Sequence, residues 1–408
     1  MLHRYPSTTA INQATTTTGR PDASTGHPRD PALAGHSVVG WVRLRLGYIP
    51  VEALTGRSAA PMLARISIWK GVFHVTVTLA ARSVLATGGD SRSRFFAAAP
   101  ATGVDLSVDI GRLRLRNPVM PASGCFGPEL ARLAPVHELG ALVTKTVFAE
   151  RRSGNPPHRL GESPAGMLNS VGIPSPGTRG FCELVWPHYA QVGAPVVVSI
   201  GGLRVREYWT VVEELDGCPY SALEVNVSCP NLEAGGLEIG TDPALIAQVV
   251  RGVVERTTAP VFVKLTPSVT SIAECAQAAE QAGASAVTVA NTFPAMTVDV
   301  QRRRPTLGNG AGGLSGPAIK PMALRLVWQA AQAVDIPVIG CGGITSARDA
   351  AEFLLAGASA VQVGTATFTR PFATVQIARD LAGVVSDLGS TRARELIGAL
   401  SWPGQPSL

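Results

Sequence analysis

Between residues 118 and 366 one texture recurs eight times: a short, nearly unbroken apolar run ends in small or polar residues, and a helix-patterned stretch precedes the next run. The runs cover 118–124, 141–146, 194–201, 222–229, 260–267, 286–292, 337–343 and 360–366. An apolar run without polar alternation is a strand buried on both faces, and such strands lie parallel with helices between them. The intervening stretches carry helix punctuation: Asp242-Pro243 supplies an N-cap and a first-turn proline, and Gly283 closes the helix over 272–283. Eight such units predict an α/β fold, a closed (β/α)8 TIM barrel, entered through a β-hairpin over 104–117 that turns at Gly111. In that fold the chemistry sits at the carboxyl ends of the strands.

Those ends are where this sequence is least like a packed core. The fourth run reads Leu223-Glu-Val-Asn-Val-Ser-Cys-Pro-Asn231, and Asn226, Ser228, Cys229 and Asn231 crowd a turn fixed by Pro230. Polar groups at a buried strand end are costly unless they meet a ligand. The chain has four lysines against 31 arginines, and two of the four, Lys145 and Lys264, end strands. A buried ammonium needs a partner, which makes both lysines ligand contacts or members of structural ion pairs. Gly342-Gly343 and Gly364-Thr365 end the last two runs, where backbone N–H groups of this fold gather a phosphate, and Gly312-Gly313-Leu-Ser-Gly316 is expected to open the helix before the seventh strand. The carboxamides of Asn169, Asn226, Asn231 and Asn291 suit a small ligand with imide or ureide edges, such as a pyrimidine.

Composition narrows the partners. The net charge of +6 resides in the leader: residues 1–100 carry a net +7 and the remainder a net −1, so the folded part has no basic footprint for nucleic acid. That leader, rich in Thr, Ser, Gly, Pro and Arg, is expected to be a poorly ordered extension, with one strand-like stretch at 72–80; the barrel domain then runs from 101 to 408. The six cysteines, 125, 182, 218, 229, 275 and 341, form no C-x-x-C pair, so no zinc or iron–sulfur site is expected. Without a secretory signal or an apolar run long enough for a membrane, the chain is expected in the cytoplasm with its thiols reduced.

Together these residues resemble class 1 dihydroorotate dehydrogenases over roughly residues 104–390. The most specific element is Asn226-Val-Ser-Cys-Pro-Asn231, with cysteine where the membrane-associated class 2 enzymes carry serine. The continuation Leu-Glu-Ala-Gly-Gly-Leu-Glu-Ile-Gly-Thr-Asp-Pro243 is similar to subfamily B, whose catalytic subunit works with a partner carrying FAD and an iron–sulfur cluster and delivers electrons to NAD. The resemblance implies FMN held by Ser123, Lys145, Thr146, Asn226, Lys264, Gly316, Gly342, Gly343, Gly364 and Thr365. It implies dihydroorotate held by Lys145, Asn169, Ser170, Val171, Gly172, Ile173, Asn226, Asn291 and Thr292, with Cys229 as the catalytic base. It further implies oxidation of (S)-dihydroorotate to orotate in UMP biosynthesis, by a homodimer or a heterotetramer with the electron-transfer subunit.

One departure is Ser199, where the family's third strand ends in asparagine near the flavin. A thiol base acts only as thiolate, with an ordinary pKa of about 8.5, so activity is expected to rise into mildly alkaline pH. The competing readings are a dihydropyrimidine dehydrogenase-like flavin reductase, whose related loop has histidine in place of Asn231, and a transfer-RNA dihydrouridine synthase, which appends a basic helical domain after the barrel. From another class, a non-catalytic barrel binding a phosphorylated metabolite also fits the glycine-rich ends.

Overall fold

A computed structural model describes residues 103–215, 217–228 and 239–402, together with the backbone of 64–66 and 75–77. In the leader, Val75–Val77 of the strand-like stretch pairs antiparallel with Ala64–Ile66. The rest of the leader lies outside the described residues, and with it the expectation of disorder; so do Cys229, Pro230 and Asn231.

The eight runs form eight parallel strands. We label them β1 (Val119–Pro121), β2 (Leu142–Val143), β3 (Val196–Ile200), β4 (Ala222–Asn226), β5 (Val261–Lys264), β6 (Ala286–Val289), β7 (Val338–Cys341) and β8 (Ala358–Val363). Their ladder runs β1-β8-β7-β6-β5-β4-β3-β2. β1 and β2 meet where the Gly140 N–H donates to the Val119 carbonyl at 2.9 Å. Only glycine fits there, because a Cβ on residue 140 would lie 2.2 Å from the Asn117 carbonyl oxygen. Every residue of β3, β4, β5, β6 and β7 is buried, as expected of strands covered on both faces. Each fully buried Val or Leu of these layers contributes about 1.5–3 kcal/mol.

The helices between them are α1 (Val205–Glu214), α2 (Pro243–Val254), α3 (Ile272–Gln281), α4 (Lys320–Ala331), α5 (Ala347–Leu355) and α6 (Ala373–Asp387). The Asp242 carboxylate caps α2 by accepting from the Ala244 and Leu245 N–H groups, and the Ser271 hydroxyl caps α3. The lead-in hairpin pairs Val108–Ile110 with Leu113–Leu115 through Gly111, and Ile110 and Leu115 are fully buried. Arg112 of its turn donates to the Thr258 carbonyl just before β5, which places the hairpin at the amino-terminal end of the barrel. With that end plugged, the open end is the carboxyl one.

Over the open end lies an antiparallel sheet with no counterpart in the sequence reading. Its order is Phe293–Ala295, Gly312–Ser315, Gly166–Asn169, Leu160–Ser163. This corrects the expectation for 312–316: the glycines form a strand, and α4 begins only at Lys320 after a short 3-10 turn at Pro317–Ile319. Their role is close packing, since a Cβ at Gly312 would fall 2.3 Å from the Asn169 carbonyl oxygen of the neighbouring strand. Among the described residues no helix is long and apolar enough to cross a membrane.

Candidate active site

The strand ends and the overlying sheet line a cavity that opens to solvent. Of the residues singled out from sequence, Ser123, Lys145, Thr146, Asn169, Val171, Gly172, Ile173, Asn226, Lys264, Asn291, Thr292, Gly316, Gly342, Gly343, Gly364 and Thr365 all line it. Ser170 sits behind the wall, its hydroxyl accepting from Asn155 Nδ2 at 2.9 Å. Cys229 and Asn231 belong to the undescribed segment after β4. Ile173 has φ of 42°, in the left-handed region, an uncommon and strained conformation for a β-branched residue that here shapes a cavity wall.

One side of the cavity is a continuous polar chain. Asn226 Nδ2 donates to Thr146 Oγ1 at 3.2 Å, and Asn226 Oδ1 accepts from the Ser228 N–H at 3.2 Å and the Ser228 hydroxyl at 2.7 Å. Asn291 Nδ2 extends the chain to Ser228 Oγ at 2.7 Å, while Asn291 Oδ1 accepts from the Thr292 N–H. Ser123 donates to the Thr144 carbonyl and touches Thr146, tying the ends of β1 and β2 together. The odd residue of β3, Ser199, is fully buried and bonds Thr146 Oγ1 at 2.9 Å, so it holds a lining side chain without lining the cavity itself. These carboxamides are therefore preset by the protein before any ligand arrives, which is what orientation of a small polar ring requires.

The two lysines are held differently. Lys264 is buried and donates to Gln362 Oε1 at 2.9 Å, with Cys341 Sγ and Glu224 Oε1 each 4.0 Å from its ammonium. Burial would depress its pKa, but Cys341, Glu224 and Cys125 outweigh that and raise it. Lys145 has no hydrogen-bond or ion-pair partner for its ammonium among the described residues, and burial together with Arg159 lowers its pKa despite an opposing effect of Cys125. Among the described residues, one cavity ammonium thus has a partner and the other has none.

At the opposite side Gly342 and Gly343, with φ of 142° and 75°, pass between the starts of α4 and α5. A Cβ on Gly343 would come within 2.8 Å of the Lys320 backbone nitrogen, so the loop hugs α4. Gly342, Gly343, Gly364 and Thr365 line this end of the cavity, at strand and helix ends of the kind where backbone N–H groups can gather an anionic group such as a phosphate. The residues therefore fit a phosphorylated flavin: a glycine cradle at one end, a buried cation in the middle, and preset carboxamides at the other.

Sequence reasoning missed Glu224, Thr288 and Gln362, which stand inside the barrel beneath Lys264, and the thiols of Cys125 and Cys341, which line the cavity. The signal for the first was available, since Glu224 shares a strand face with Asn226 in an otherwise apolar run. Burial pushes the Cys125 thiol up to about 12 and raises Cys341 as well, so neither is a base at neutral pH.

A family model for dihydroorotate dehydrogenase matches residues 105–385. The chain is 51% identical over 299 residues to the dihydroorotate dehydrogenase B (NAD(+)) catalytic subunit of Desulforudis audaxviator, covering 72% of this chain and 97% of that protein. It is 48% identical over 299 residues to the subunit of the same name from Geotalea uraniireducens, and 49% identical over 298 residues to that of Trichlorobacter lovleyi, in each case covering 72% of this chain and 98% of the relative.

Proposed function

Because the chain belongs to the dihydroorotate dehydrogenase family, we propose that it oxidises dihydroorotate to orotate on a bound FMN and passes the electrons to NAD through a partner subunit. The observation that carries this reading is the pairing, in one cavity, of a preset carboxamide wall with a lysine that has no partner among the described residues. When bound, FMN supplies a hydride acceptor. The glycines at the ends of β7 and β8 would hold its phosphate, and Lys264 would set a fixed positive charge against its ring. Lys145 would take the substrate carboxylate, with Asn169, Asn226 and Asn291 orienting the ring.

Cys229, in the sequence that follows β4, is proposed as the base that removes the proton from C5. Cys125 and Cys341 are the other cavity cysteines among the described residues, and burial keeps both protonated. The partner subunit follows from the relatives' names as catalytic subunits, and its FAD and iron–sulfur cluster belong to the proposal.

The test is anaerobic stopped-flow mixing of FMN-loaded protein with dihydroorotate. The flavin absorbance is expected to bleach, and NADH to form only when the partner is added. Cys229→Ala should keep its FMN yet bleach about 10²–10⁴-fold more slowly, and Cys229→Ser should be slow too. A flavin that stays yellow in dihydroorotate would sink the assignment; parental rates in the alanine variant would remove Cys229 from the mechanism.

A further inference from the structure

Beneath the cavity the barrel encloses a carboxylate that packing does not explain. Glu224 of β4 is fully buried, in a layer that other barrels of this type fill with branched aliphatics. Its Oε2 accepts from Gln362 Nε2 of β8 at 2.5 Å and from the Thr288 hydroxyl of β6 at 3.2 Å. Its Oε1 accepts no hydrogen bond from the described residues and lies 4.0 Å from Lys264 Nζ of β5. Gln362 closes the circuit, since its Oε1 accepts from Lys264.

The Gln362 amide is fixed in one sense. An ammonium only donates and a carboxylate only accepts, so the amide must turn its oxygen to Lys264 and its nitrogen to Glu224. Among the described residues, the titratable groups facing Lys264 from neighbouring elements are Cys341, Glu224 and Cys125. Burial raises the pKa of both thiols, and of the three Glu224 is the one carboxyl group, its Oε1 4.0 Å from the ammonium.

We propose that Glu224 is a positioning residue: through Gln362 it anchors the Lys264 ammonium on the barrel side of the cavity and keeps it charged, leaving its remaining N–H groups to the cavity. Its functional meaning rests on the flavin reading above. Glu224 touches neither the cavity nor its contents; it acts through Lys264.

The test is Glu224→Gln, which keeps the shape and removes the charge, in full-length protein loaded with FMN. The flavin midpoint potential is titrated against pH with redox dyes, without dihydroorotate. In the parent, Lys264 stays protonated through the range. In the variant it loses its proton within the titrated range, and a new break in the profile is expected there, at a lower pH than in the parent. The break should vanish in the double variant Glu224→Gln/Lys264→Met. Gln362→Met, which cuts the bridge at similar volume, should move the profile the same way but less, and it carries the test if Glu224→Gln does not fold.

A cofactor-free readout separates this from the flavin reading. Once the folded pKa of Lys264 drops below its ordinary value, the unfolded chain binds more protons in that window, so the unfolding temperature of ligand-free Glu224→Gln should climb with pH relative to the parent. If the parent refuses FMN, the flavin reading fails and this stability profile still judges Glu224. Superimposable pH profiles for parent and variant, in potential or in stability, overturn the proposal.

Discussion

The ends of β2 and β5 bring a lysine to the same cavity and prepare it in opposite ways. At β5 the barrel supplies Lys264 with an amide, a nearby carboxylate and burial, and its pKa is raised. At β2 the Lys145 ammonium meets no partner among the described residues, and burial lowers its pKa. A cation neutralised by its own protein exerts a steady field whether or not substrate is present. A cation left uncompensated is an unfilled demand for an anion, and the demand is met only when one binds. The β5 side thus suits a resident cofactor, and the β2 side a ligand that comes and goes.

The comparison breaks most sharply at Lys145. If it waits for the substrate carboxylate, Lys145→Met should lower kcat/KM for dihydroorotate by about 10²–10³-fold, because the carboxylate would be buried without its countercharge. The flavin spectrum should hardly change. Steady-state kinetics with an artificial dye acceptor decide it, and a loss confined to FMN retention would transfer Lys145 to the cofactor side.

Lys264→Ala tests the other half. It removes the steady charge and strands Glu224, so FMN should dissociate about 10–100-fold more readily, or the flavin potential should drop. Equilibrium dialysis and dye-coupled redox titration read the two outcomes. An unchanged affinity together with an unchanged potential contradicts a resident-cofactor role.

A smaller effect appears without ligand. Lys145 has a folded pKa below its ordinary 10.5, so the unfolded chain holds the extra proton between the two values and stability rises with pH across that window. Lys264 has the opposite sign: its contribution is whole below 10.5 and is lost as pH climbs through its raised folded value. Ligand-free Lys145→Met should therefore melt about 1–3 °C higher than the parent near pH 7, an advantage that fades toward pH 10. Scanning calorimetry across pH shows whether the two lysines carry opposite signs.

Much of this arrangement was legible in the chain, for a physical reason. Strands buried on both faces must read as apolar runs, so 194–201 and 260–267 announced themselves, and so did Lys264, which interrupts the second. The sheet over the mouth was not legible, because Gly312–Ser315 and Gly166–Asn169 are only four residues long, with two glycines in the first and no alternation of buried and exposed positions in either. The contrast between Lys145 and Lys264 was equally hidden. It depends on Gln362 and Glu224, which lie 98 and 40 residues from Lys264 in the chain and meet it only when the barrel closes.

The last and smallest test lies behind Gly342 and Gly343, where a part-buried ion pair stands outside the cavity lining. Asp349 in the first turn of α5 accepts from the Thr345 N–H, the Thr345 hydroxyl and the Ser346 N–H through Oδ2, and from Lys320 Nζ at 2.7 Å through Oδ1. Burial works to raise its pKa, but Lys320, Thr345 and Ser346 together hold it down to about 2. A carboxyl depressed on folding contributes stability that is present above its ordinary 3.8 and lost as pH falls toward 2. Asp349→Asn can satisfy one side of this arrangement only, since its amide nitrogen must face either Lys320 or the N–H groups of 345 and 346. The expected loss is about 1–2 kcal/mol near pH 7, shrinking toward zero near pH 2, read by chemical unfolding at both ends of that range. Because the capped turn backs Gly342 and Gly343, FMN affinity should weaken about two- to fivefold while kcat at saturating FMN stays at the parental value. A kcat that falls with the affinity would mean that the cradle shapes the reacting end of the cavity as well as the phosphate end.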